Sequence, residues 1–316
     1  MNSDAQRLAE SIAENISSVF VGKGHQVRLL LVGFISGLHV LIEDIPGVGK
    51  TTLARCLASS VDLDFGRIQF TPDLLPGDVV GMTVWSQEKR EFVYKAGAVI
   101  HQFVLADEIN RASPRTQSAL LEAMEEGGVT VDGVTHVLPA PFFVIATQNP
   151  VYMIGAFPLP EAQIDRFGIS FSLGYPTGED EKEILSRFQV ENPLFSLDPV
   201  CSPEDIVGLR RQAREVRVDE KVKDFIIRLS GESRRGSLVK LGLSPRASQH
   251  LMLAAQTHAL LEGRGFVIPE DVLEMAQSVF AHRLILSAEA KMENKSQRQV
   301  VEQIKSRVPI PTGIRA

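Results

Sequence analysis

The stretch Asp44-Ile45-Pro46-Gly47-Val48-Gly49-Lys50-Thr51 constrains this chain more than any other. It follows the short apolar run His39-Val40-Leu41-Ile42-Glu43 and leads into the helix formers Leu53-Ala54-Arg55. Strand, glycine loop and helix in that order curl successive backbone N–H groups around an anion, and the helix N-terminus adds a favourable field. Gly47 and Gly49 supply backbone freedom, Lys50 a point charge and Thr51 a hydroxyl suited to Mg2+. The spacing fits the phosphate-loop pattern G-x-x-x-x-G-K-[ST], except that Asp44 replaces the first glycine. That glycine mainly eases the turn, so phosphate binding is expected to survive its loss. The expected ligand is ATP with Mg2+, cradled by Pro46, Gly47, Val48, Gly49, Lys50, Thr51 and Thr52.

The strand theme recurs. Phe103-Val104-Leu105-Ala106-Asp107 is followed by a helix expected over Pro114–Glu126. Phe142–Thr147 is a third apolar run and Ile169-Ser170-Phe171 a weaker fourth. Continuous apolar runs bounded by turns predict strands buried on both faces of a parallel sheet. Asp107 and Glu108 end the second run, at the strand terminus where such sheets bind ligands. Asp107 is placed to hold Mg2+ through water, and Glu108 to polarise the water that attacks the γ-phosphate. Thr147-Gln148-Asn149-Pro150 ends the next run, and Asn149 is a candidate amide between the γ-phosphate and that water. Asp132-Gly133 between two β-rich runs predicts a hairpin.

A helix is expected from Ser3 to Val19, with Ser3 and Gln6 as a capping box, and a second from His25 to about Ser36. After Gly174-Tyr175-Pro176-Thr177-Gly178 the strand signal almost vanishes. Helices are expected to begin at Thr177, Ser202, about Asp219, Ser244 and Ile268. The chain therefore divides into an α/β domain over 1–173 and a helical domain over 178–316.

Composition narrows the class further. Thirty-nine acidic against thirty-three basic side chains give a net charge of -6. That argues against an obligate nucleic-acid binder. Cys56 and Cys201 are the only cysteines, which rules out a disulfide framework. The segment Met1–Ile16 carries Asp4, Glu10 and Glu14 and lacks an apolar core, so no secretory signal is expected. The most apolar stretch, Leu29–Ile42, is too short for a membrane span. The expectation is a soluble cytoplasmic protein without membrane insertion.

Longer blocks carry a resemblance. Leu105–Ala112, Thr116–Met124, Thr71–Asp78, Ala146–Pro150, Leu159–Phe167, Ala281–Leu284 and Val308–Pro311 together resemble the MoxR branch of the AAA+ ATPases. The resemblance spans nearly the whole chain. It implies a P-loop AAA+ core with a parallel sheet, plus a C-terminal all-helical lid. It also implies a self-assembled ring, a hexamer in many members, with ATP between subunits. Arg166 would be the finger reaching a neighbour's γ-phosphate, with Arg111 and Arg115 as alternatives. Arg246 matches the sensor position on a lid helix, and Val21-Gly22 would lie near the adenine. Residues 71–100 and 129–138 resemble inserts that face the ring axis or a client. Trp85, Phe92 and Tyr94 of the first insert would either touch clients or form its own small core. The implied activity is Mg-dependent ATP hydrolysis coupled to chaperone-like remodelling of protein clients. A partner with a von Willebrand factor A domain is the associated class. A chelatase-type subunit and a nucleic-acid-associated motor are the alternatives.

Overall fold

The computed structural model describes residues 2–149, 156–189 and 192–313, with side chains from Asp4 onward. Pro150 and the Ser3 side chain lie outside the described residues. The helices are α1 (Asn2–Val19), α2 (Gly24–Ser36), α3 (Lys50–Ser60), α4 (Pro76–Val80), α5 (Pro114–Glu126), α6 (Glu161–Ile164) and α7 (Gly178–Phe188). Then follow α8 (Pro203–Glu215), α9 (Glu220–Glu232), α10 (Pro245–Leu261), α11 (Pro269–Phe280), α12 (Ala288–Met292) and α13 (Gln297–Arg307). The strands are β1 (Val40–Glu43), β2 (Phe65–Gln69), β3 (Gly81–Ser86), β4 (Glu91–Ala96), β5 (Phe103–Asp107) and β6 (Gly128–Val131). β7 (Val134–Val137), β8 (Phe143–Gln148), β9 (Ile169–Phe171), β10 (Val239–Leu241) and β11 (Ile285–Leu286) complete them.

Five strands form one parallel sheet in the order β2-β5-β8-β1-β9. Side chains alternate across it. Val40, Ile42, Phe103, Leu105, Phe143 and Ile145 enter one core with α1, α2 and α3. Leu41, Val104, Ala106, Val144 and Ala146 enter a second core with α5. Burial on both faces is why these strands read as unbroken apolar runs. The first core continues without a break into α8–α11 and α13, through Leu209, Phe225, Leu251, Val272 and Val301. The helical half therefore shares its apolar interior with the sheet layer. Among the described residues no helix is long and apolar enough to cross a membrane.

The expected helix starts hold: Thr177, Ser202, Asp219, Ser244 and Ile268 are the N-cap residues of α7, α8, α9, α10 and α11. The Asp132-Gly133 turn joins β6 to β7, both residues at positive φ (49° and 79°) as a tight hairpin turn requires. Three features depart from expectation. α1 starts at Asn2, ahead of Ser3, and Gln6 Nε2 donates to Glu10 Oε1 one turn on (2.9 Å); the expected capping box with the Ser3 side chain lies outside the described residues. β2 joins the sheet edge; its Gly66/Ile68 inside, Arg67/Gln69 outside alternation is the edge-strand pattern that a search for continuous apolar runs passes over. The helical half also holds a two-stranded sheet, β10 with β11, whose strands are too short to show a period.

Candidate nucleotide site

β1 delivers the loop 44–49 at the C-terminal edge of the sheet, and α3 starts at Lys50 with Gly49 as its N-cap. Gly47 and Gly49 hold φ of 86° and 89°. A Cβ on Gly49 would stand 2.9 Å from the Phe20 ring, so only glycine fits there. No side chain caps α3, which leaves its first amide groups for an anion. Lys50 Nζ donates to the carbonyls of Asp44 (2.8 Å) and Ile45 (3.1 Å) and lies 3.4 Å from Asn149 Oδ1. Burial lowers the pKa of this lysine, opposed by the carboxylates of Asp44, Asp107 and Glu108. Thr51 and Thr52 are half-buried in the first turn, and Pro46 is exposed.

The acidic pair sits on the neighbouring strand ends. Thr147 organises both members: its hydroxyl donates to Asp107 Oδ1 (2.6 Å) and accepts the Glu108 N–H (2.8 Å). Glu108 adopts left-handed backbone, φ 56°, a costly conformation for a side chain of this size. Its carboxylate is held on three sides. Asn149 Nδ2 donates to Oε1 at 2.9 Å, while Gln69 Nε2 (3.1 Å) and Arg111 (2.9 Å) donate to Oε2. Arg67 donates to Asp107 Oδ2 at 2.7 Å. The structure brings the candidate residues Lys50, Asp107, Glu108 and Asn149 together, with Thr147 between the two carboxylates. Arg67, Gln69 and the orienting role of Thr147 were missed. The first two ride on the unrecognised β2, and the third needs the register of β5 beside β8.

An apolar cavity of about 220 Å³ lies beside the loop. Its walls are Val19 at the end of α1 with Phe20, Val21 and Lys23 after it, Gly47–Gly49 and Thr52 below, and Pro176, Ile184 and Phe188 opposite. Val21 lines it. Gly22 packs on Asp180, whose carboxyl a Cβ would meet at 2.3 Å. Among the described residues no three His, Cys, Asp or Glu side chains converge on a metal position. The donor set is a threonine hydroxyl and one carboxylate at a phosphate loop, which fits a Mg2+ held mainly by phosphate oxygens.

Arg166 and Arg246 lie elsewhere. Both pair with Glu125 at the end of α5: Arg166 to Oε2 at 2.9 Å and Arg246 to Oε1. They border a cavity of about 200 Å³ with His39 and His250. His39 precedes β1 and Arg166 precedes β9, so this cluster is at the N-terminal edge of the sheet. The phosphate loop leaves the C-terminal edge, about 13 Å away by four residues of strand rise alone. Neither arginine is brought to its own chain's phosphate loop. Asp165 does not pair with Arg166; it accepts from Ser244 Oγ (2.9 Å) and Arg283 Nε (2.8 Å), joining the Arg166 segment to the helical half. Of the alternatives, Arg111 is committed to Glu108 and Arg115 is exposed on α5.

Residues 39–169 match the model of the ATPase family associated with various cellular activities (AAA), and residues 231–304 match the AAA lid domain. The protein YeaC of Bacillus subtilis, described as uncharacterised, is 47% identical over 308 residues, 98% of this chain and 96% of its own. The chaperone MoxR1 of Mycobacterium tuberculosis is 40% identical, over 94% of this chain and 80% of its own. Protein MoxR of Paracoccus denitrificans is 29% identical, over 86% and 87%. The crystal structure of a candidate ATPase from Cytophaga hutchinsonii superposes with a TM-score of 0.91 at 38% identity, covering 98% of this chain and 97% of that one.

Proposed function

The chain belongs to the MoxR family of AAA+ ATPases, and on that footing we propose that it hydrolyses ATP and uses the energy to remodel protein clients. The observation that carries the reading is the joined network at the C-terminal sheet edge, where Lys50, Asn149 and Glu108 contact one another in sequence. Lys50 exchanges its two backbone carbonyls for the β- and γ-phosphates. Thr51, and Asp107 through water, would hold a Mg2+ that would neutralise phosphate charge. Glu108 accepts a hydrogen bond from the attacking water, and Asn149 fixes the carboxylate and water in line with the γ-phosphate. Val19–Val21 and Pro176 take the base.

Arg166 and Arg246 act on a neighbouring subunit. Their distance from their own loop and their shared Glu125 support this: one carboxylate holds both cations side by side, at a spacing a phosphate can take over. A ring, a hexamer in many AAA+ proteins, follows from that need. The inserts support the client role. Tyr94 is structural, donating to Val80 O (2.7 Å) and stacking on His136 of the second hairpin at 3.7 Å. Trp85 and Phe92 face solvent as an edge-to-face pair, 54% and 70% exposed. A von Willebrand factor A domain protein as partner is the resemblance's part of the proposal.

The test is Glu108→Gln, which keeps shape and loses the charge on the water. ATP binding is retained and turnover falls about a hundredfold or more, as for loss of a general base. Wild-type turnover in Glu108→Gln overturns the assignment. ATPase activity stimulated by DNA with steep salt dependence would instead favour the motor alternative.

A further inference from the structure

Asp44 stands where the phosphate-loop pattern carries glycine, and its side chain is far from idle. It is 7% exposed and accepts four hydrogen bonds. Oδ1 takes the Ile45 N–H at 2.8 Å. Oδ2 takes the Leu173 N–H at 2.6 Å, the Gly174 N–H at 2.7 Å and the Ser172 hydroxyl at 3.1 Å. The three donors on Oδ2 belong to one stretch, from the end of β9 toward α7. That stretch turns at Gly174 (φ 63°) into Pro176 and the capped start of α7 at Thr177. Pro176, Ile184 and Phe188 form the far wall of the apolar cavity.

Hydrogen bonds to an ionised carboxylate are roughly twice as strong as neutral ones, and removing the acceptor leaves buried donors unpaired. On its other side Asp44 offers its carbonyl to Lys50 Nζ. One residue thus touches both the phosphate-binding lysine and the stretch 172–174 that leads into the base wall. The wall needs such a joint, because α7 contributes no fully buried side chain. Lys23 Nζ to Tyr175 O (2.9 Å) and Arg187 to Ser17 O (3.0 Å) also hold the wall, but they tie it to α1 and the segment before α2.

We propose that Asp44 is a positioning residue for base recognition, fastening the Pro176–Phe188 wall to the phosphate loop so that base and phosphates are gripped as one unit. The inference rests on the nucleotide-site reading above and adds a determinant of base selectivity to it. The experiment titrates the full chain with Mg·ADP and Mg·CDP by calorimetry, two ligands with the same phosphates and different bases. Wild type prefers ADP. Asp44→Gly, which restores the common glycine, weakens ADP about tenfold or more while CDP changes by less than about threefold. Asp44→Asn keeps the volume but turns an NH2 toward donors, so selectivity falls by an intermediate factor; it serves if Asp44→Gly does not fold. Equal loss for both ligands marks a distorted phosphate loop and overturns the proposal, as does unchanged ADP affinity in Asp44→Gly. Equal wild-type affinities remove the cavity as a base site. A wild type that binds neither nucleotide overturns the nucleotide reading itself.

Discussion

Thr147 shows how much of the chemistry depends on one hydroxyl. It is fully buried, donates to Asp107 and receives the Glu108 amide, so it fixes both carboxylates relative to the sheet. Removing it leaves a buried carboxylate oxygen and a backbone N–H short of partners, and frees Glu108 from its left-handed conformation. Thr147→Val, nearly isosteric, is expected to retain ATP affinity within a few-fold. Its kcat should fall by about ten- to a hundredfold, through a base no longer in place. Steady-state kinetics with parallel calorimetry check this; a normal kcat would show that the acidic pair holds itself in place. Asp107 and Glu108 were legible as an acidic pair ending an apolar run. Thr147 was legible only as part of a motif, because its role exists only when β8 lies beside β5.

α7 has a weak hold on the rest of the molecule. It has a good capping box, Thr177 with Asp180, yet no buried side chain. Arg187 secures it to the Ser17 and Ser18 carbonyls, while Ile184 and Phe188 border the base cavity. By contrast α3 buries Leu53, Ala54, Cys56 and Leu57 in the core. Few buried apolar contacts mean a low opening free energy. In hydrogen-exchange mass spectrometry α7 amides are expected to exchange well before those of α3. Saturating ATP should slow α7 selectively, because the base supplies the missing contacts. Protection in α7 equal to that of α3 without nucleotide would contradict this. The capped start of α7 was plain in the sequence. Its exposure was not, since Leu185 and Phe188 look like core residues until the fold leaves them outside.

At the scale of the whole molecule two consequences follow. The first is the division of labour between subunits. Arg166→Ala keeps a sound phosphate loop without a finger, and Lys50→Ala keeps a finger without a loop. Each alone is expected to be nearly inactive, and mixed rings should recover part of the activity, more so as protein concentration drives assembly. If the two variants co-assemble and stay inactive, Arg166 is not the residue acting in trans. The second is acid stability. Burial pushes His39 down to about 4 and, with Arg283 and Arg246 adding repulsion, His250 to about 3; His282, also buried beside Arg283, is held well below its ordinary value. Each folded-state pKa lies below the unfolded one of about 6.5. The unfolded chain therefore binds more protons between those values, and stability is complete above about pH 6.5 and falls as pH drops toward 4. Each histidine costs about 1.4 kcal/mol one unit below 6.5, so three together should lower the melting temperature markedly at pH 5.5. Melting curves from pH 7.5 to 5 test this, and a flat profile would mean that the histidines are hydrated.

The sequence by itself determined what is local. Gly47, Gly49 and Lys50 define the phosphate loop through backbone freedom and charge at adjacent positions. Ser202, Asp219 and Ser244 define helix starts through side-chain caps, and the apolar runs ending at Asp107 and Thr147 define strands of a doubly covered sheet. Each follows from interactions within a few residues. Only the tertiary structure decided which distant groups share a place. Gln69 and Arg67 reach the acidic pair because β2 takes the sheet edge. Asp44 meets residues 172–174 because β9 pairs with β1. Arg166 and Arg246 meet at Glu125, away from their own loop, because parallel strands send their two ends to opposite edges of the sheet. Such meetings depend on strand order and helix docking, which are set by the packing of whole apolar faces and leave no signature at the residues they bring together.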